Sequence, residues 1–216
     1  MKKFSVILVL LMVAASVWAI SAEDNNSSAR PVNKGYEKGD YEIATFAGGC
    51  FWSIQKSFDK VDGVVKTTVG FTGGTVKNPT YEQVCYTDTG HAESIEIVFD
   101  PAKVTYDKLL DVYWMNIDPT DKGGQFVDRG DQYRPVIFYH SAAQKKAAEA
   151  SKKKLEESGR FDKPIVVEIL QAVEFYPAEE YHQEFYKKNP IRYESYRFAS
   201  GRDRFIGNHW GKDAVH

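Results

Sequence analysis

The run ESIEIVFD, residues 93–100, limits what this chain can fold into more than any other stretch. Ile95, Ile97 and Phe99 alternate with polar neighbours, the period of a strand with one buried face. The same period sets Glu93 on the apolar side. A carboxyl there is costly unless it is hydrogen-bonded or protonated. Either the strand frays at its first residue, leaving Glu93 on the surface, or the fold buries an acid for a reason.

The other elements fall into order around this strand. YEIATFA (41–47) predicts a strand. FWSIQKSFDKV (51–61) predicts a helix, with Phe51, Ile54, Phe58 and Val61 at helical spacing. VVKTTVGF (64–71) predicts a second strand, and a turn of helix is expected at Tyr81 to Cys85 beyond the Asn78-Pro79 loop. TYDKLLDVYWMNI (105–117) predicts an amphipathic helix stopped before Pro119. The stretch from Asp118 to Gln132 predicts a polar loop of a length that usually serves function. PVIFYH (135–140) predicts a further strand. The order strand–helix–strand–strand–helix–strand is the ferredoxin-like split pattern. The expected class is therefore α+β: a two-layer fold with helices against a mixed sheet and C-terminal additions. Those additions are a helix from a Ser141–Gln144 capping box to Gly159, a strand at 164–170 and a helix at 178–188. A last short helix is signalled by Ser200 and Asp203 and runs to about Trp210.

The beginning of the chain follows other rules. Lys2-Lys3, the apolar run Phe4 to Val17 and the small residues of 19–22 predict a signal peptide over 1–22. Residues 23–40, rich in Asn, Ser, Gly and charge, predict a flexible linker. Residues 41–216 then form one folded domain, a size that supports a single substantial core. Export to the periplasm is expected; secretion, or tethering by an uncleaved N-terminal segment, fits the same residues. A net charge of −2 argues against a nucleic-acid partner.

An exported chain with two cysteines could hold one Cys50–Cys85 disulfide. The surroundings of each cysteine point elsewhere. Cys50 lies in GGCFW, at the turn from a strand into a helix, where unpaired N–H groups and the helix dipole favour a thiolate. Gly48 and Gly49 would let a substrate approach the backbone, and Phe51 and Trp52 could wall an apolar pocket. A buried cysteine among core aromatics is the plainer alternative, which Phe51 fits better than Trp52 does. Cys85 has neither glycine nor a cation beside it and reads as structural. Burial would raise the pKa of Glu93 toward that of a general acid. Tyr81 and Tyr133 could offer hydroxyls to an oxygen gaining charge. His91, beside a glycine turn, reads as neither base nor ligand. Cys50, Cys85 and His91 match no standard metal spacing, so neither metal nor cofactor is expected.

GGCFW (48–52), GFTGG (70–74), NPTYEQVC (78–85), TGHAE (89–93) and DRGDQYR (128–134), with AEEYHQ (178–183) and KNP (188–190), resemble the A-type peptide-methionine sulfoxide reductases. The likeness runs nearly without a break over 41–200. It implies reduction of the S-epimer of methionine sulfoxide, free or in a protein. In that pattern Cys50 is the nucleophile that ends as a sulfenic acid, and Glu93 is the proton donor. Tyr81 and Tyr133 hold the sulfoxide oxygen, Phe51 and Trp52 receive the substrate methyl, and Asp128 helps arrange the site. Many family members trap the sulfenic acid with cysteines in a Gly-rich tail, whereas SYRFASGRDRFIGNHWGKDAVH holds none and is similar to single-cysteine members. The resemblance thus implies an external, thioredoxin-like thiol reductant and a monomer repairing exported proteins. Two other functions remain to be separated: a disulfide-stapled binding module, and a peroxide reductase. The latter would want a cation near the thiol, and none is close in sequence.

Overall fold

The computed structural model describes residues 40–211. The expected signal peptide and nearly all of the expected linker lie outside the described residues. The chain forms a mixed α+β structure. β1 (Glu42–Ala47), α1 (Phe51–Asp59) and β2 (Val64–Thr72) are followed by α2 (Tyr81–Tyr86), β3 (Ala92–Phe99) and α3 (Tyr106–Met115). A hairpin of β4 (Gly124–Gln125) and β5 (Asp128–Arg129) leads through a 3-10 turn at Asp131–Tyr133 to β6 (Val136–Tyr139). Then come α4 (Ala142–Glu157), β7 (Glu168–Gln171), β8 (Tyr176–Pro177), α5 (Phe185–Lys188), α6 (Pro190–Ser200) and α7 (Arg202–Trp210).

Six strands make one sheet in the order β7-β6-β1-β3-β2-β8, antiparallel except for the β6–β7 pair. β3 lies inside it, between β1 and β2. Ile95, Ile97 and Phe99 of β3 pack with Ala44 and Phe46 of β1, Ile54 and Phe58 of α1 and Leu109 and Tyr113 of α3 as the main core. Burial of so many large apolar side chains on one sheet face, at about 2 kcal/mol each, is what holds the helices to the sheet.

The C-terminal additions depart from expectation in four places. Of the 164–170 run, only Glu168 onward joins the sheet; Ile165 and Val167 fill the core while the Val166 N–H donates to Pro119 O at 2.8 Å, outside any ladder. An apolar run can be core filling without being a strand. The expected helix 178–188 is reduced to the single turn of α5, because Glu184 takes a left-handed conformation at φ 50°. Gln183, just before it, turns its amide to the edge of β2: its Oε1 accepts from Val69 N–H at 2.9 Å and its Nε2 donates to Val69 O at 2.8 Å. That side chain stands in for one residue of a strand, a job a continuous helix would deny it. α6 was not foreseen, although Pro190 at its first turn is the position proline favours. Finally, neither capping box closes fully. Ser141 caps α4 at Gln144 N, but the Gln144 amide goes to His140 N and Ile43 O; Ser200 ends α6, and Asp203 pairs with Arg197.

The 118–132 loop is tied by its own residues. Buried Gln125 accepts from Asp118 N–H at 2.7 Å and donates to Asp118 O at 2.8 Å, which folds the segment back into the β4–β5 hairpin.

Candidate active site

Cys50 sits where β1 ends and α1 begins, as the N-cap of α1, with Ser53 N–H donating to its carbonyl at 2.9 Å. It packs with Phe51, Val69, Phe71, Val84 and Ala178 in a second, smaller cluster, against which Trp52, Tyr81, Tyr133 and Tyr196 also lie. Both cysteines are free, so the disulfide is ruled out in this state. The glycines before Cys50 are explained by protein rather than by substrate. A Cβ on Gly48 would come 2.8 Å from Ile117, and Gly49, at φ +81°, would meet Gln125 at 2.5 Å and Arg202 at 3.0 Å. The turn is glycine because three side chains press on it.

Glu93 enters from β3, opposite Phe71 of β2. It is 1% exposed, on the side its alternation with Ile95 predicts. Its carboxyl accepts from the Phe51 N–H at 3.0 Å, across the N-terminus of α1. Burial, opposed by that N–H and reinforced by Asp128, pushes its pKa up to about 8, so the acid is neutral near pH 7.

The thiol departs from expectation. Burial first, then the charges of Glu93 and Asp128, hold the Cys50 pKa well above its ordinary value, against the Tyr196 hydroxyl and the Trp52 N–H. The helix N-terminus does not win here: Glu93 takes the Phe51 N–H, and Cys50 is only 8% exposed. At rest Cys50 is a neutral thiol.

The aromatic residues are fixed from several directions. α2 starts with a complete capping box between Thr80 and Gln83, and the Tyr81 N–H donates to Glu179 at 3.3 Å. Tyr133 ends the 3-10 turn, which Arg134 ties to Asp131 at 2.9 Å and to Gly90 O at 2.9 Å. Burial is the main cause raising the pKa of both phenols, and Glu93 and Cys50 each add to it. Both therefore stay protonated as hydrogen-bond donors. The Trp52 indole stacks on Phe185 at 3.8 Å, and its N–H donates to Nδ1 of His182 at 3.1 Å. Phe51, fully buried, lies against Phe71 and His182. Asp128, on β5, accepts from the Tyr196 hydroxyl; burial raises its pKa, while Tyr196 and Arg202 oppose the rise. Cys85 is half-buried on α2, its pKa raised chiefly by burial and lowered by hydrogen bonds with Tyr81 and Tyr133, so it borders the site rather than the core. His91 is a staple of the 73–78 loop, through Gly74 N at 3.2 Å and Val76 O at 2.7 Å.

Four partners escaped sequence reasoning: His182, Glu179, Tyr196 and Arg202. Arg202 supplies the cation that sequence proximity did not place near Cys50. One signal for it exists. Arg202, Ile206 and Trp210 recur every four residues, so the apolar stripe of α7 begins with an arginine.

A neutral thiol facing a neutral carboxyl, with phenols and apolar rings around both, is the layout of an enzyme that works on a polarisable, uncharged group. The sequence comparisons specify the class. A family model described as peptide methionine sulfoxide reductase matches residues 42–214, and the chain belongs to that family. Relatives described as peptide methionine sulfoxide reductase MsrA include one from Listeria monocytogenes, 60% identical over 173 residues, which covers 80% of this chain and 98% of the relative. Another, from Bacillus subtilis, is 58% identical over 170 residues, covering 79% and 96%. Among solved structures, reduced Mxr1 from Saccharomyces cerevisiae superposes with TM-score 0.68 at 32% identity, covering 72% of this chain and 90% of that one. Methionine sulfoxide reductase A of Corynebacterium diphtheriae gives 0.64 at 36% identity, covering 71% and 77%. The chain is thus an oxidoreductase that reduces methionine sulfoxide.

Proposed function

We propose that Cys50 attacks the sulfur of the S-epimer of methionine sulfoxide, free or within a protein, while Glu93 gives its proton to the departing oxygen. A sulfoxide is a poor electrophile until that oxygen is protonated, so the nucleophile needs a neutral acid opposite it. The observation that carries this reading is Glu93 itself: buried on a central strand, bonded at the helix N-terminus beside Cys50, and neutral near pH 7.

The balance is simple. Attack joins the Cys50 sulfur to the substrate sulfur as Glu93 protonates the oxygen; the oxygen then passes to the Cys50 sulfur while that S–S bond and the substrate S–O bond break, so methionine leaves as the thioether and Cys50 ends as a sulfenic acid. The thiol proton, in effect, makes good the proton that Glu93 spends. Tyr81 and Tyr133 donate hydrogen bonds to the oxygen as charge gathers on it. Phe51 and Trp52 receive the methyl group. Asp128 acts through the Tyr196 hydroxyl, which donates to it and lies beside the Cys50 sulfur.

Regeneration takes two electrons: an external dithiol reduces the sulfenic acid, forming its own disulfide and water. The chain holds two cysteines and its tail none, which supports a reductant from outside. The yeast relative Mxr1 has been solved in complex with Trx2, and a thioredoxin-like partner is our assignment for this chain as well. The signal-like residues 1–22 and the linker 23–40 support export, with residues 41–216 as a monomeric catalytic domain that repairs exported proteins. Periplasmic placement, secretion and N-terminal tethering all accord with them. The antiparallel strands β6-β1-β3-β2, with α1 after β1 and α3 after β3, support the ferredoxin-like assignment of the core.

The test is turnover of methionine sulfoxide resolved by epimer, with Cys50→Ser as control. S-epimer reduction that depends on Cys50 is expected; activity retained in Cys50→Ser would sink the reading.

A further inference from the structure

Arg202 opens α7 and is 0% exposed, the largest fully buried side chain among the described residues. Burying a guanidinium costs several kcal/mol unless the surroundings repay it, and a neutral side chain would fill the space more cheaply. Its direct partners are backbone carbonyls. Nη1 and Nη2 donate to Gly48 O at 3.3 and 3.2 Å, and Nη1 donates also to Asn116 O. The guanidinium carbon lies 4.6 Å from the centre of the Phe126 ring. Two carbonyls and a ring face hold a cation in place without neutralising it.

Its position makes this charge useful. Gly48 and Gly49 form the turn that aims Cys50, and Arg202 grips that turn, its Nη2 coming within 3.0 Å of where a Cβ on Gly49 would stand. We propose that Arg202 is a positioning residue for the reduction: it fixes the Gly48–Gly49 turn and supplies the positive charge against which the Cys50 sulfur becomes anionic. This rests on the reading of Cys50 as nucleophile.

The charged and titratable groups around the pair decide the sign. Facing Arg202 are Arg197 and Tyr196 from α6, Asp128 from β5, and Cys50. Burial lowers the Arg202 pKa to about 10, so it remains cationic through the neutral range. Facing Cys50 are Glu93 from β3, Asp128 from β5 and Tyr196 from α6, with Tyr81 and Tyr133 at the rim. Where the thiol ionises, above the Glu93 pKa of about 8, the Glu93 and Asp128 carboxylates both oppose a thiolate and Arg202 favours it. Without Arg202 the two carboxylates act alone, and the sulfur holds its proton to higher pH.

The experiment uses the full chain and three substitutions. Arg202→Lys keeps the charge but loses the two-pronged bond to Gly48 O. Arg202→Gln keeps a donor but loses the charge, and Arg202→Met loses both. The rate of Cys50 alkylation by iodoacetamide is followed against pH by peptide-resolved mass spectrometry, so that Cys85 is counted separately. Single-turnover reduction of methionine sulfoxide is measured on the same samples. Arg202→Gln and Arg202→Met should move the alkylation midpoint up by about one pH unit, the scale of one lost charge–charge contact. Arg202→Lys should leave that midpoint in place yet slow the single turnover about tenfold, through loss of orientation. A wild-type midpoint in folded Arg202→Gln or Arg202→Met overturns the proposal. Failure of all three variants to fold overturns it as well, since Arg202 would then be a staple of the fold alone. If turnover survives in Cys50→Ser, the underlying reading fails whatever the Arg202 variants do. If turnover needs Cys50 and the midpoint does not move, only the role of Arg202 fails.

Discussion

Ile95 and Glu93 are two residues apart on β3 and face the same side of the sheet, yet they belong to different parts of the molecule. Ile95 enters the main core, where α1, α3 and the sheet bury aliphatic and aromatic side chains against one another. Glu93 enters the smaller cluster around Cys50, Phe51 and Phe71, walled by Trp52 and three tyrosines. One strand serves both regions, and only the polarity of one side chain separates them. The main core gains stability from burial. The small cluster and the turn beside it spend some of it: a carboxyl is held neutral, a thiol is kept further from ionisation and a guanidinium is taken out of water. The contrast shows how a fold stabilised at one end of a strand can hold an unfavourable but reactive arrangement at the other.

The sharpest way to test the contrast is to alter one region and watch the other. Cys50→Ser should cut turnover by about a thousandfold or more while leaving stability within about 1 kcal/mol, because it changes one atom in a packed site. Epimer-resolved assays and thermal melts on the same sample read both. Leu109→Ala, deep in the main core, should do the reverse. A loss of roughly 2–5 kcal/mol in denaturant unfolding is expected, with turnover per folded molecule near wild type.

Glu93→Gln should separate the two properties within one residue. Turnover should fall about a hundredfold, since Gln cannot deliver a proton as the acid does. Stability should rise. The Glu93 pKa is raised in the fold from 4.5 to about 8, so the unfolded chain loses its proton first as pH rises. Wild type is therefore destabilised progressively from about pH 4.5 to 8, with no further change above. Glu93→Gln, which has nothing to ionise, should gain about 3 kcal/mol over wild type at pH 7 and almost nothing at pH 4. Urea unfolding of both proteins at several pH values checks the sign and the window.

Trp52→Phe is the mildest of the set. It removes the indole donor to His182 and keeps an aromatic wall. One lost hydrogen bond of about 1 kcal/mol should raise KM by roughly fivefold and leave kcat little changed.

Much of this was legible in the residues, for a reason that also marks where legibility ended. Period-two alternation predicted β3 and the inward face of Glu93, and helical spacing predicted α1 and α3, because those elements bury a simple apolar face. The tail was harder. Residues 178–188 carry a helical composition, yet Gln183 is drawn to the Val69 backbone and His182 to the Trp52 indole, and these long-range bonds break the helix at Glu184. Cys50 was visible as an unusual thiol, but the helix end pointed to a low pKa. Only the fold reveals that Glu93 occupies the Phe51 N–H and that burial dominates. Tyr196 and Arg202 reach the site from helices remote in sequence, so no local pattern announces their partners.

We propose Glu93 as the buried neutral acid that protonates an oxygen beside Cys50. Infrared difference spectra of wild type against Glu93→Gln across pH test it directly. A protonated carboxyl band present at pH 6 to 7 and lost only as pH rises through about 8 is the predicted result. A Glu93 already ionised at pH 6 would contradict it.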